Sequence, residues 1–192
     1  LLALLLASCI NQTGTKTNLR DATQAANESN AMLEDVIADS TYQFTGVTVS
    51  PDGRLFTNYP YWLDRHSYSV VEVKDGKPVP YPDSAWNSFM RGDNGENKFV
   101  CVQAVVADEK GTCGLLTAGI GLDPVYEHSN KVVKINPATN RIERIYRFPE
   151  SVTSNYSYIN DIRIDNTNGF AYMTSSSSGG IVILNINTVT RV

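Results

Sequence analysis

Asn160 and Asp161 stand side by side at the head of an alternating Ile162-Arg163-Ile164 run. Asn and Asp are poor strand formers, so a pair at the mouth of a strand needs a reason. A carboxylate beside a carboxamide oxygen makes a hard donor pair, suited to Ca²⁺, Mg²⁺ or a ligand amine and not to zinc. Turn and cap chemistry, with both side chains bonding nearby backbone groups, is the competing account. Aligning Val47, Val105 and Ile162 as equivalent points on three strands brings Thr45, Gln103 and Asn160 into register. Polar side chains opening three neighbouring strands would converge on one mouth, the usual specificity element of a concave site. The expected binding set is Thr45, Gln103, Asn160 and Asp161, with a small-molecule ligand and no firm metal site.

The other reactive side chains assemble no obvious machinery. Two His and three Cys residues show no C-x-x-C or H-x-x-H spacing, so a zinc centre is not expected. No Ser-His-Asp, Cys-His or paired-carboxylate pattern appears, which leaves catalysis open and assigns no catalytic residue. The run Ser175 to Gly180 lacks the G-x-S-x-G of a nucleophile elbow and reads as a loop between strands. His128, near Asp123-Pro124, reads as a solvated loop residue. Tyr59, Tyr61, Trp62 and His66 form an aromatic loop, expected either to pack between structural units or to line a pocket. Cys101 and Cys113 fall on neighbouring strands and read as buried thiols, although export would permit a disulfide.

The elements that must carry these residues are strands. "FTGVTVSPDGRLFTNYPYW" alternates at Val47 and Val49, turns at Pro51-Asp52-Gly53 and resumes at Leu55. Pro presets φ, Asp caps the turn and Gly tolerates positive φ, which together signal a hairpin. The pattern returns in "VQAVVADEKGTCGLLTAG" and in "INDIRIDNTNGFAYMTS", and the turn glycines Gly53, Gly111 and Gly169 are successively 58 residues apart. Each hairpin is followed by two more strand-like runs, the first pair joined at Asp75-Gly76 and the second at Pro137 to Asn140. A period near 50 residues made of about four strands is the signature of a propeller blade. The expected fold is all-β, a β-propeller of which this chain holds about three blades.

Outside the strands the composition changes. The first nine residues, "LLALLLASC", form an apolar run with no Met and no basic region before it, so the chain is expected to begin inside a longer gene. Leu6-Ala7-Ser8-Cys9 resembles the lipobox of bacterial lipoproteins, which would make Cys9 the lipidated first residue of an exported, membrane-anchored protein. Residues 10–38 are rich in Asn, Thr, Gln and Ala, as expected of a polar tether, and residues 39–192 carry the propeller pattern. A formal charge of −4 with scattered single cations offers no basic face, so nucleic acid is not an expected partner.

"TGVTVSPDGRLFTNYPYW", "YSVVEVKDGKPVPYPD", "KVVKINPATNRIERIYRFP" and "SYINDIRIDNTNGFAYMTSSSSGGIVILNI" resemble, in order, the major royal jelly protein/Yellow family. The resemblance covers Phe44 to Leu184 and implies a six-bladed propeller, of which this chain would be the first half, and secretion. Its implied functions vary: dopachrome conversion in some members, binding of biogenic amines or sterols in others. The chain departs from the family at two places. Cys113-Gly114-Leu115-Leu116-Thr117-Ala118-Gly119 replaces a Leu-Trp-Val-Leu-Asp-x-Gly run, and Ser175 follows Tyr172-Met173-Thr174 where the family has Asp. The Asn160-Asp161 dipeptide also resembles one that lactonase propellers keep near a divalent metal, so a lactonase or tautomerase with a divalent cation is the alternative to simple ligand binding.

Overall fold

A computed structural model describes residues 33–63, 65–109, 112–116, 129–153 and 157–188. Cys9, Gly111, Thr117, Asp123 and His128 lie outside the described residues. The chain divides into two units, Leu1–Val36 and Ile37–Val192, and every strand belongs to the second. Among the described residues there are strands and turns and no helix.

Three antiparallel sheets follow one another along the chain. The first contains β1 (Gly46–Val49), β2 (Leu55–Asn58), β3 (Val70–Lys74) and β4 (Lys77–Pro80) in sequence order. The second contains β5 (Val102–Ala107), β6 (Thr112–Leu116), β7 (Lys131–Asn136) and β8 (Arg141–Arg147), again in order. The third contains β9 (Ile159–Asp165), β10 (Phe170–Ser175) and β11 (Gly180–Asn185). None of the three closes on itself. The hairpins fall where the turn chemistry predicts them. Asp75 and Gly76, at φ 51° and 70°, form the two-residue connection between paired Lys74 and Lys77, with both residues in the left-handed region that such hairpins require. Gly169 sits at φ 75°, and a Cβ there would also lie 1.9 Å from the Asn187 carboxamide, so two constraints demand glycine.

Packing explains the alternation. Phe56 and Val70 of the first sheet meet Val105, Val133 and Ile135 of the second in one core. Ala104 and Val132, the neighbours of Val105 and Val133, point the opposite way and meet Ile162, Ala171 and Met173 of the third sheet. β5 and β7 of the middle sheet are thus buried on both faces along most of their length, and the buried set includes the polar Gln103 and Lys131. The first strands lie side by side, β1 against β5 and β5 against β9. Two bonds pin the first contact: Thr45 Oγ1 donates to Gln103 O at 2.8 Å, and Ala107 N donates to Thr48 Oγ1 at 2.8 Å.

Buried polar groups close the connecting loops. Asn87 accepts from the Ser69 and Val70 amides, both at 2.9 Å, and donates to Tyr81 O and Asp83 O. All four hydrogen-bonding positions of its carboxamide are used, so the loop after β4 is anchored to the start of β3.

Candidate ligand-binding depression

The heads of β1, β5 and β9 surround a depression of about 370 Å³. Thr45, Gln103, Asn160 and Asp161 all line it, together with Gly46, Val47 and Arg163. The four residues nominated from sequence therefore share one concavity, although their roles in it differ.

Thr45 is structural. Its hydroxyl accepts from Asn58 Nδ2 at 2.7 Å and donates to Gln103 O, which commits its proton and one lone pair to the seam between two sheets. Asn58 is fully buried and also donates to Val102 O at 2.7 Å. Gly46 leaves room for it, since a Cβ at that position would stand 2.5 Å from Asn58 Oδ1.

Gln103 and Asn160 both occupy β-bulges. Pairing between β5 and β6 passes from Val102 to Ala104, skipping Gln103, and pairing between β9 and β10 passes from Asp161 to Ile159, skipping Asn160. A bulged residue leaves the ladder and re-aims its side chain. Gln103, only 3% exposed, turns its Nε2 to Cys101 Sγ at 3.2 Å. Asn160 donates to Ser176 Oγ at 3.1 Å. The bulges also correct the alignment drawn from sequence. Counted from the turns, Val47 and Val105 match Arg163 and not Ile162, so Asp161 is the counterpart of Thr45 and Gln103. Asn160 is one step farther out.

Asp161 does cap chemistry and ion pairing together. Its Oδ1 accepts from the Ile162 amide at 2.8 Å and from Arg163 Nη1 at 2.8 Å. Arg163 Nη1 also donates to Ile162 O at 2.7 Å. Sequence reasoning passed over Arg163. The signal was present in the alternation itself: in a strand, a residue two after Asp161 shares its face. Beyond Arg163 the trough widens into an open depression of about 690 Å³ lined by Asp108, Glu109 and Asp165.

This donor set fits a divalent cation poorly. Ca²⁺ takes six to eight oxygens, usually several of them carboxylates. The upper depression offers one carboxylate, already held by a guanidinium whose charge opposes a second cation. Among the described residues no three His, Cys, Asp or Glu side chains cluster anywhere.

The aromatic loop packs between sheets. Tyr59 and Tyr61 are buried, and Trp62 Nε1 donates to Tyr158 OH at 3.3 Å, joining the loop after β2 to the entrance of β9. His66 stacks on Tyr61 with ring centroids 4.2 Å apart, and its Nε2 lies 2.8 Å from Ser69 Oγ. That pair has the spacing of a nucleophile and its base, yet Ser69 is fully buried and bonds Phe99 O. Burial drives the His66 pKa down to about 4, so the ring is a neutral packing element at pH 7. Ser175 to Gly180 forms the β10–β11 turn, tied by Gly179 N donating to Ser175 O at 3.0 Å.

Cys101 is a buried thiol beside Gln103, its pKa pushed up to about 11 by burial. Cys113 pairs across from Val106, five residues along β5 from Cys101. At ~3.3 Å per residue that offset is roughly 16 Å, far beyond the ~7 Å limit for a disulfide.

Compared with known proteins, the chain matches no family model, and no curated protein matches it at a significant level.

Proposed function

We propose that this chain is a sector of a β-propeller of the major royal jelly protein/Yellow kind that binds a small molecule at the heads of β1, β5 and β9. One observation carries this: three meandering sheets stand with their first strands adjacent, and each contributes residues from that strand to one depression. Such an arrangement is how propeller blades converge on an axis. Its volume lies at the low end of the ~300–1,000 Å³ typical of small-molecule sites. Binding without turnover is the better supported role, because the hydroxyl nearest a base is buried and the depression holds a single, ion-paired carboxylate.

A ligand-observed NMR screen of a mixed small-molecule library tests the site. Hits are expected to weaken at least tenfold in Asn160→Ala and Asp161→Ala, both changes at side chains outside the core. Hits that all survive both substitutions in folded protein would remove the site.

We infer also that the protein is exported and held at a membrane through Cys9, by Leu6-Ala7-Ser8-Cys9 after an apolar run and before a polar tether. Several acyl chains at ~0.8 kcal/mol per buried CH₂ would make the anchor effectively permanent. Expression with Cys9→Ala is expected to shift the protein from the membrane fraction to the soluble one. Unchanged fractionation of the variant would refute lipidation at Cys9.

A further inference from the structure

We propose that the ligand is a neutral polyhydroxylated molecule of monosaccharide or cyclitol class, an inference that rests on the depression being a binding site. The case is an inventory of donors and acceptors. Gln103 is 3% exposed, and with Nε2 committed to Cys101 its Oε1 accepts no hydrogen bond among the described residues. That carboxamide oxygen, on a residue lining the depression, is an acceptor open to a ligand's donor. Asn160 likewise gives its Nδ2 to Ser176, and Asp161 commits only Oδ1, so Asn160 Oδ1 and Asp161 Oδ2 add two more acceptors. Arg163 uses Nη1 alone, leaving Nε and Nη2 as a forked donor.

Three acceptors, one fork and the second N–H of each carboxamide suit a ligand with several O–H groups that both donate and accept. Charge then selects among such ligands. Among the described residues lining this depression only Asp161 and Arg163 are charged, and at 2.8 Å they neutralise each other. A cation would gain from Asp161 and lose to Arg163, and an anion would meet the reverse. A polyol satisfies both partners without stranding either.

Saturation-transfer NMR and titration of the whole chain would use methyl hexopyranosides and myo-inositol, alongside phenethylamine, benzoate and Ca²⁺. The expected result is binding of at least one polyol, weakened tenfold or more by Asn160→Ala and by Arg163→Met, with little response to the other probes. Both side chains are exposed, and an unchanged amide spectrum would certify the fold of each variant. If phenethylamine, benzoate or Ca²⁺ binds instead and is lost in Asn160→Ala, the polyol class is overturned and the site stands. If a polyol binds with equal strength to both variants, the site itself is overturned. Binding of none of these probes would overturn the polyol class.

Discussion

Arg54→Ala is expected to destabilise the fold by about 2–4 kcal/mol, more than any single change in the depression. Arg54 grips Glu72 in a bidentate pair, Nε to Oε1 at 2.9 Å and Nη2 to Oε2 at 2.8 Å. The same guanidinium reaches the second sheet, where it donates to Pro137 O and, at 2.9 Å, to Asn140 Oδ1. It also lies over the Phe56 ring at 5.1 Å and the Tyr81 ring at 5.4 Å. One side chain therefore links β3, the β7–β8 turn and the core between two sheets. Removing it leaves the Glu72 carboxylate nearly buried with only Lys74, at 3.1 Å, to balance it. Equilibrium urea unfolding would measure the loss, and Glu72→Gln should lose less, since the Arg54 guanidinium keeps its bonds to Pro137 O and Asn140 Oδ1. A loss below about 0.5 kcal/mol for Arg54→Ala would show that the clamp is an ordinary surface pair.

The clamp also sets a pH dependence. The Arg54 bonds hold the Glu72 carboxyl below its usual range, outweighing the opposite push of burial. A carboxylate with a depressed folded pKa contributes stability that is fully present above its unfolded pKa. That contribution declines as pH falls through and below the ordinary carboxylate range, toward the lowered folded value. His66 moves the same way for another reason. Its folded pKa of about 4 lies below the ordinary 6.5, so the unfolded chain binds the extra proton and stability falls as pH drops between those values. Both groups favour the folded state at neutral pH over mildly acidic pH.

Hairpins were legible because their chemistry is local. Asp75-Gly76 and Asn168-Gly169 specify left-handed backbone within two residues, whatever they pack against. The 58-residue spacing of the turn glycines carried the repeat. The bulges at Gln103 and Asn160 were not legible. A bulge is a mismatch in count between two strands, visible only once the partner register is known. The fate of the Thr45 hydroxyl depended on Gln103 O, 58 residues away on the neighbouring sheet. Arg163 was overlooked because attention to the apolar members of an alternating run hides the polar face opposite. Of the two accounts first weighed for Asn160-Asp161, the cap chemistry is visible at Asp161, and a bulge at Asn160 sets both residues in the lining of the depression.

The largest effect expected in solution is self-association through the outer faces of the first and third sheets. In the first sheet, Val47 and Val49 share one face of β1 and are 69% and 58% exposed. Beside them Phe44, Leu55 and Val73 line a groove of about 250 Å³ that is nearly all apolar. In the third sheet, Ile181 and Ile183 are 68% and 60% exposed, and Tyr172 pairs directly with Ile183, extending the patch across β10 and β11. Burying apolar area gains ~25 cal/mol per Å², so two such faces meeting over a few hundred Å² would gain several kcal/mol. β11 adds a second hazard, since it lies at the edge of its sheet with a strand-forming Ile-Val-Ile-Leu core. In the proposed ring these faces would be covered by flanking blades; in this chain they should pack on each other. Sedimentation velocity of the 192-residue chain is expected to show concentration-dependent oligomers. Ile181→Lys combined with Ile183→Lys should shift the distribution toward monomer, and Val49→Lys should do so from the other face. A monodisperse wild-type monomer with a cooperative thermal transition would mean that three sheets are self-sufficient, which would remove the physical ground for placing them in a larger ring.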